Sequence, residues 1–363
     1  MSERLYYTAS AAFNAARSID ILPSTHRSSN LHGHGFIAKA RAALPEGMRS
    51  FSGSEADDLE SYLSEAVSPL DYSLLNNTLP VPTNENIARW LRERLTLPAE
   101  SIGIQSTPDH GVDLDESGVI HIWHKFRFEA AHQLTRVPAD HQCHRMHGHG
   151  FEVTLHVEQQ TTGNEPGLEL DQLAQHWAPI QKQLHHACLN DIKGLEVPTS
   201  EMLATWIWQK LKPELPSLSW VSTYETATSG CHYNGLAHRI WKEQRFEAAT
   251  RLAHAPESDP RSKLHGHSYI TRLHLTAPLD DTLGWTVDYG DVKEVFKPIY
   301  NQLDHHNLEE ILDAENTSLS TIVSWAKRRL SNTLPQLDRI DLFQKPGCGC
   351  TLAWGNHAPA LPV

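Results

Sequence analysis

Several things are scarce in this 363-residue chain, and each scarcity excludes something. No apolar run reaches the ~18 residues of a membrane-spanning helix. The opening MSERLYYTASAAFNAARSID lacks the basic-then-apolar order of a secretory signal. Cysteine is sparse: five residues, odd in number and unevenly placed at 143, 188, 231, 348 and 350, which argues against a disulfide framework. A reducing, cytoplasmic setting is expected. Basic charge is also short, with 31 Lys plus Arg against 44 Asp plus Glu and a net charge of −13. Nucleic-acid binding wants a basic face, and no Lys/Arg run supplies one. The chain therefore reads as having no nucleic-acid or membrane partner, and an anionic ligand would have to be met by local positive groups. With 39% hydrophobic and 21% charged residues it has the make-up of a soluble globular protein of two or three domains.

What is abundant is histidine, at 24 residues, and much of it is patterned. The triplet His-Gly-His recurs at His32–His34, His147–His149 and His265–His267. Each copy follows an aromatic-plus-alanine segment: FNAAR (13–17), FEAAH (128–132) and FEAAT (246–250). Each precedes PLDYSLLN (69–76), QLHHACLN (183–190) or QLDHHNLE (302–309), and then a helical segment at 83–95, 199–211 or 317–330. Such self-similarity sets the architecture. The chain reads as three tandem modules of one fold, at 1–112, 118–235 and 238–363.

The middle module shows the elements most clearly. Residues 119–130 and 151–158 alternate as paired strands do. Over 171–186, Leu173, Trp177, Ile180 and Leu184 fall at helical steps and make one apolar face. Thr199, after Pro198, is placed to cap a second helix lined by Met202, Leu203, Trp206, Ile207 and Leu211. These aromatics read as core rather than a cofactor box. Residues 219–228 read as a returning strand. The order is two strands, two helices, two strands, which predicts an α+β module: a four-stranded antiparallel sheet with two helices on one face. The Pro-, Asp- and Gly-containing stretches 106–118 and 231–240 read as linkers.

Chemistry concentrates in the stretch FRFEAAHQLTRVPADHQCHRMHGHGFEVTLHV (126–157). If 147 onward is a strand, His147 and His149 project from the same face, and Gly148 leaves the other face empty. His132, closing the preceding alternating run, can converge on them. Three neutral imidazoles with an open fourth position suit a catalytic Zn2+. The plain alternative, a polar patch of surface histidines, fits the spacing less well. At the His132 position the outer modules have Arg17 and Thr250, which leaves them two histidines each and predicts no metal there. Cys143 is also unique, aligning with Ser28 and Arg261. A thiol beside a dication and several imidazoles is expected to be acidic and reactive. The alternative is an inert buried thiol, which the polar HQCHR context does not favour.

FEAAH, C-x-x-x-HGHG, LNDIKGLEVPTSE (189–201) and YETATSGC (224–231), in that order, resemble the 6-carboxytetrahydropterin synthase branch of the 6-pyruvoyl-tetrahydropterin synthase family. The resemblance covers residues 126–235, and the three-residue gap between Cys143 and His147 matches the carboxytetrahydropterin branch. It implies rings of tunnelling-fold modules closing a barrel, so three modules on one chain could close a pseudo-threefold ring alone. A homodimer of such rings is expected. It implies a zinc-dependent lyase making 6-carboxy-5,6,7,8-tetrahydropterin from 7,8-dihydroneopterin triphosphate, a step toward queuosine and other 7-deazaguanine nucleosides. A pyruvoyl-type triphosphate lyase or another pterin aldol reaction is one alternative; a non-catalytic pterin-binding scaffold is another. In the family a glutamate anchors the pterin, and Glu225 matches it, with Gln105 and Gln344 aligned in the outer modules. The family's catalytic Asp-His pair is broken in the middle module, where His185-His186 stands, but is intact as Asp304-His305 in the third. A composite site follows as the expectation. The middle module would give His132, His147, His149, Cys143 and Glu225. The third module, in the same chain or a partner, would give Asp304 and His305. The competing reading is drift, with His186 serving alone.

Overall fold

The computed structural model describes residues 3–159, 167–168, 170–312 and 316–355. Residues 1–2 and 356–363, the outer ends of the first and third modules as read from the sequence, lie outside the described residues. The first module runs β1 (Arg4–Arg17), β2 (His32–Ala42), α1 (Glu55–Val67), a two-residue β3 (Ser73–Leu74), α2 (Asn84–Leu95), β4 (Ala99–Thr107) and β5 (His110–Asp115). The second repeats it with β6 (Ile120–His132), β7 (His147–Gln159), α3 (Leu170–Leu184), β8 (Ala187–Cys188), α4 (Ser200–Leu211), β9 (Leu218–Thr226) and β10 (Ser229–Tyr233). The third has β11 (His238–Thr250), β12 (His265–Ala277), α5 (Tyr289–Leu303), β13 (His306–Asn307), a one-turn α6 (Leu308–Ile311), α7 (Leu319–Leu330), β14 (Leu337–Lys345) and β15 (Cys348–Ala353).

Each module lays its four long strands in antiparallel order, the second hairpin beside the first, so β7 pairs with both β6 and β9. The modules then join edge to edge. β5 pairs with β6, β10 with β11, and β15 with β1, all antiparallel. Twelve long strands thereby close into a barrel, as the sequence reading expected. Closure matters physically because an open edge strand presents unpaired N–H and C=O groups.

Strand alternation decides what faces where. Phe126, Phe128 and Ala130 of β6 point outward to the helix layer, with Phe126 stacked on Trp177 of α3 at 5.0 Å between ring centroids. Leu173, Trp177, Ile180 and Leu184 of α3 are all buried, as their spacing predicts. Burying each such side chain is worth about 1.5–3 kcal/mol. The intervening residues face the barrel interior, which is polar. Half-buried Lys39 of β2 feels Asp113, Lys125 and Arg272, one group or more from every module. A chain of contacts runs from His156 to Ser222 (3.2 Å), Ser222 to His232 (2.7 Å), and, beyond the stacked His232–His274 pair, His274 to Asp341 (2.9 Å). So several of the many histidines belong to the barrel wall and not to the repeated triplet.

The stretches 106–118 and 231–240 are not linkers. They contain most of β5 and β10 and the start of β11, the strands that weld the modules together. Their Gly and Asp content reads as loop, but in β5 the residues Gly111 to Leu114 are all buried. The true connections are the turns at 116–119 and 234–237, where Gly118 and Gly235 each take φ +87. Within the strands, Gly111, Gly230 and Gly349 hold one equivalent place. A Cβ there would lie 2.6, 2.4 and 2.1 Å from the carbonyl oxygens of Ile104, Thr223 and Leu342 on the neighbouring strand. No flexible side chain can yield to relieve that clash, because the obstacle is backbone. We therefore expect Gly349→Ala, remote from the second module's cavity, to destabilise the fold by about 1–3 kcal/mol in a denaturant titration. An unchanged midpoint would contradict the barrel register.

Candidate metal centre and its cavity

The repeated triplet sits at the start of β7 and pairs residue for residue with the end of β6, placing His132 opposite His147. Gly148 is required for a reason other than an empty face. A Cβ on it would lie 3.0 Å from the Ala130 carbonyl oxygen of the paired strand, a close approach that the glycine relieves. The imidazoles of His132, His147 and His149 cluster with ring centroids 4.5–5.1 Å apart. His132 donates from Nδ1 to the Pro198 carbonyl at 2.9 Å, and His147 from Nδ1 to the Arg145 carbonyl at 2.7 Å. A carbonyl can only accept, so both rings carry the proton on Nδ1 and present a lone pair at Nε2. Ligand atoms of these three residues and Glu225 all lie within 4.8 Å of one another.

The donor set fits a metal. Nε2 of His132 and Nε2 of His149 are buried and have no hydrogen-bond partner. Such orphaned atoms are costly unless something completes them. Burial also lowers the basicity of His132, favouring the neutral ligand form, despite the opposing pull of Glu225. The Glu225 carboxylate stands 3.2 Å from His149 and 3.8 Å from His132. Burial alone would raise its pKa; His149, His132 and the Ser200 hydroxyl, which donates to it at 3.1 Å, hold it below the usual carboxylate range.

Cys143 rides on a short 3-10 turn at 142–144 that His141 caps, its Nδ1 accepting from the Cys143 N–H at 3.2 Å. Cys143 packs against a small cluster of Leu134, Val137 and Val197, as Trp285 also does, outside the ligand cluster. Burial, then the Glu225 and Asp288 carboxylates, push its thiol up to about 11. A dication beside the thiol, as the sequence reading expects, would pull it the other way.

His132, His147, His149, Cys143 and Glu225 line one cavity of about 580 Å3. Its far wall belongs to the third module: Lys242 of β11 and the segment from Trp285 to Gly290 that opens α5. Asp288 caps α5 and lies 3.2 Å from His141. Buried Glu201 accepts from the Thr286 backbone and hydroxyl at 2.8 and 3.0 Å, and burial pushes it up to about 7. Sequence reasoning missed Lys242, Asp288 and Glu201 as members of this site.

Within one chain the cavity does not receive Asp304 or His305. His305 lies in a separate shallow hollow beside His265 and His267, with its side chain 78% exposed. Asp304 has a local duty: its carboxylate accepts from the Glu247 N–H at 2.9 Å. Asp71 does the same for Asn14, and His185 for Glu129, so the residue at this place ties the loop to the first strand of each module. His186 is likewise exposed, 3.2 Å from Glu129 and away from the cavity. His186, His305 and Tyr72 share a left-handed backbone near φ +50 to +60. The strand register also corrects one alignment. Glu152 of β7 pairs with Tyr224 and Ile37 of β2 with Gln105, so Ser106 and not Gln105 holds the Glu225 place. Gln344 holds it in the third module.

Comparison with known proteins fits this geometry. The profile described as 6-pyruvoyl tetrahydropterin synthase matches residues 6–108, 121–236 and 239–353. Among curated proteins, the 6-carboxy-5,6,7,8-tetrahydropterin synthase of Synechocystis is 43% identical over 119 residues, 31% of this chain and 91% of that protein. The dihydroneopterin monophosphate aldolase of Pyrococcus furiosus is 29% identical over 30% of this chain and 95% of its own length. Among solved structures, Caenorhabditis elegans 6-pyruvoyl tetrahydropterin synthase aligns with 32% of this chain and 95% of its own, at 19% identity and a TM-score of 0.29.

One divalent ion per chain is the expected metal content, because among the described residues three imidazoles and a carboxylate converge only in the middle module. His147→Ala should remove it, as read by elemental analysis. Two or three ions per chain would show that the outer modules also bind.

Proposed function

The chain belongs to the 6-pyruvoyl tetrahydropterin synthase family, as three copies in tandem, and from that premise we propose that its middle copy is a zinc-dependent 6-carboxy-5,6,7,8-tetrahydropterin synthase acting on 7,8-dihydroneopterin triphosphate. The observation that carries this reading is the meeting of three convergent imidazoles, Cys143 and Glu225 on one cavity. The 43% identity to a synthase of that name supports the choice of product over the pyruvoyl-type and aldolase alternatives.

Glu225 and Ser200 fix the pterin edge by hydrogen bonding, a task suited to a carboxylate that can accept two parallel bonds. Lys242 and Arg145 at the cavity wall meet the triphosphate of an otherwise acidic protein. His132, His147 and His149 would hold the zinc, which when bound would supply Lewis acidity to the side-chain hydroxyls of the substrate. Cys143 takes the proton from the adjacent carbon as general base. Asp304 and His305 reach the opposite side from a second copy of the chain. Their end of the barrel also exposes Leu31, Tyr72, Met146 and Leu264, apolar surface that a facing ring would cover. The protein then works as a homodimer of three-module rings in the cytoplasm, within 7-deazaguanine synthesis.

Cys143→Ala should retain the metal and lose turnover by at least ~10²-fold, the usual scale for an acid–base group. Loss of metal in that variant would instead make Cys143 a ligand. His305→Ala should lose activity on a similar scale, and His186→Ala less. Mixing the inactive Cys143→Ala and His305→Ala proteins under conditions that exchange subunits should restore part of the activity, because a mixed dimer has one intact site. Failure to restore it, with exchange confirmed, would rule out the shared site.

A further inference from the structure

The seam between the first and second modules holds a cavity of about 460 Å3, at the place equivalent to the metal cavity. Arg17 ends β1 there, where His132 ends β6 in the second module. Its side chain is only 7% exposed. Nη1 donates twice, to the Pro82 carbonyl and to Asn84 Oδ1, both at 2.9 Å. The cation rests over Phe36, 5.0 Å from the ring centroid. Nε is buried with no hydrogen-bond partner. The bonds to Nη1 hold the guanidinium in place and leave its Nε–Nη2 edge uncommitted, the edge that grips planar or tetrahedral oxyanions with two parallel bonds.

The hydrogen-bond partners of Arg17 are a carbonyl and an amide oxygen, not a carboxylate. Ser106 stands where the second module has Glu225, its hydroxyl engaged by Asn84 at 2.9 Å and by His110 at 3.1 Å. Glu85 is the one carboxylate among the described residues that line the cavity. It raises the basicity of Arg17 against the larger effect of burial, which still leaves the guanidinium at about 10 and charged at neutral pH. His32, His34, His110 and Arg27 line the same space.

The third seam shows what a merely structural replacement looks like. There Arg261 takes the Cys143 place and is fully satisfied: by Asp259 at 2.9 and 2.8 Å, and by Asp57 across the seam at 2.8 Å. Gln344 joins the same Asp57 at 2.8 Å. That cavity, of about 420 Å3, has its arginine paired within the protein. The first seam keeps a fixed cation whose hydrogen bonds go to no carboxylate, with Glu85 as the nearest acid in its wall.

We propose that the cavity between the first and second modules is a metal-free binding site for an organic oxyanion, a carboxylate or a phosphate ester, gripped by Arg17. A guanidinium has taken the place of the metal, and a hydroxyl the place of the carboxylate, so the site's charge preference favours anions. The volume accommodates more than a bare ion.

Calorimetric titration of the full-length, metal-loaded chain with inorganic phosphate, and separately with acetate, tests this. Saturable binding of one equivalent is expected for at least one probe, and the stronger probe identifies the chemical class. The binding should persist in His147→Ala, which separates it from the metal cavity. Arg17→Met should weaken it at least ~10-fold, the loss of a charge-assisted hydrogen-bonded pair. Because Arg17 is buried, Ser106→Glu provides a second arm. It keeps the arginine but supplies an internal carboxylate, and should weaken binding similarly. No binding of either probe, or binding unchanged in a folded Ser106→Glu protein, would overturn the proposal.

Discussion

The structure depends on edge-to-edge strand pairing between modules. A four-stranded module has two open edges, and each edge is satisfied by the next module: β5 on β6, β10 on β11, β15 on β1. Closure does more than hide polar edges. It brings the loop between the first and second strands of one module against the start of the first long helix of the next. Each of the three cavities therefore lies at a seam and takes walls from two modules. A site of this kind cannot exist in one module alone.

Tandem fusion also frees the three seams to diverge, since each is now encoded separately. The second–third seam keeps three imidazoles with two orphaned ring nitrogens. The first–second seam has exchanged a ligand for a guanidinium. The third–first seam is cross-braced by Arg261, Asp57 and Gln344 and acts as a clamp between the ends of the chain. Equivalent backbone positions thus carry three different sets of side chains at the three seams.

Much of this was legible in the sequence because it rests on local pattern. His-Gly-His in an alternating run gives strand, face and convergence at once, and Leu173, Trp177, Ile180 and Leu184 give α3. What the sequence hid rests on long-range geometry. Trp285 to Gly290 belong to the metal cavity only because β10 pairs with β11. The seam strands β5 and β10 were mistaken for linkers, since glycine at a bulge where backbones nearly touch looks the same in sequence as glycine in a loop. Gln105 was matched to Glu225 by chemical kinship, while register puts Ser106 there. The retained Asp304 suggested catalysis, yet its oxygen holds a backbone N–H, a duty that Asp71 and His185 share. Its other oxygen stands 2.8 Å from His305 Nδ1, a pairing that the second module, with His185 in that place, does not have.

The central claim is that the second–third seam converts a pterin triphosphate by carbon–carbon bond cleavage to the 6-carboxy product. The most direct measurement is mass spectrometry of what zinc-loaded protein makes from 7,8-dihydroneopterin triphosphate. The account predicts 6-carboxy-5,6,7,8-tetrahydropterin with release of acetaldehyde and triphosphate. A 6-pyruvoyl product, a simple aldol product, or pterin binding without turnover would contradict it.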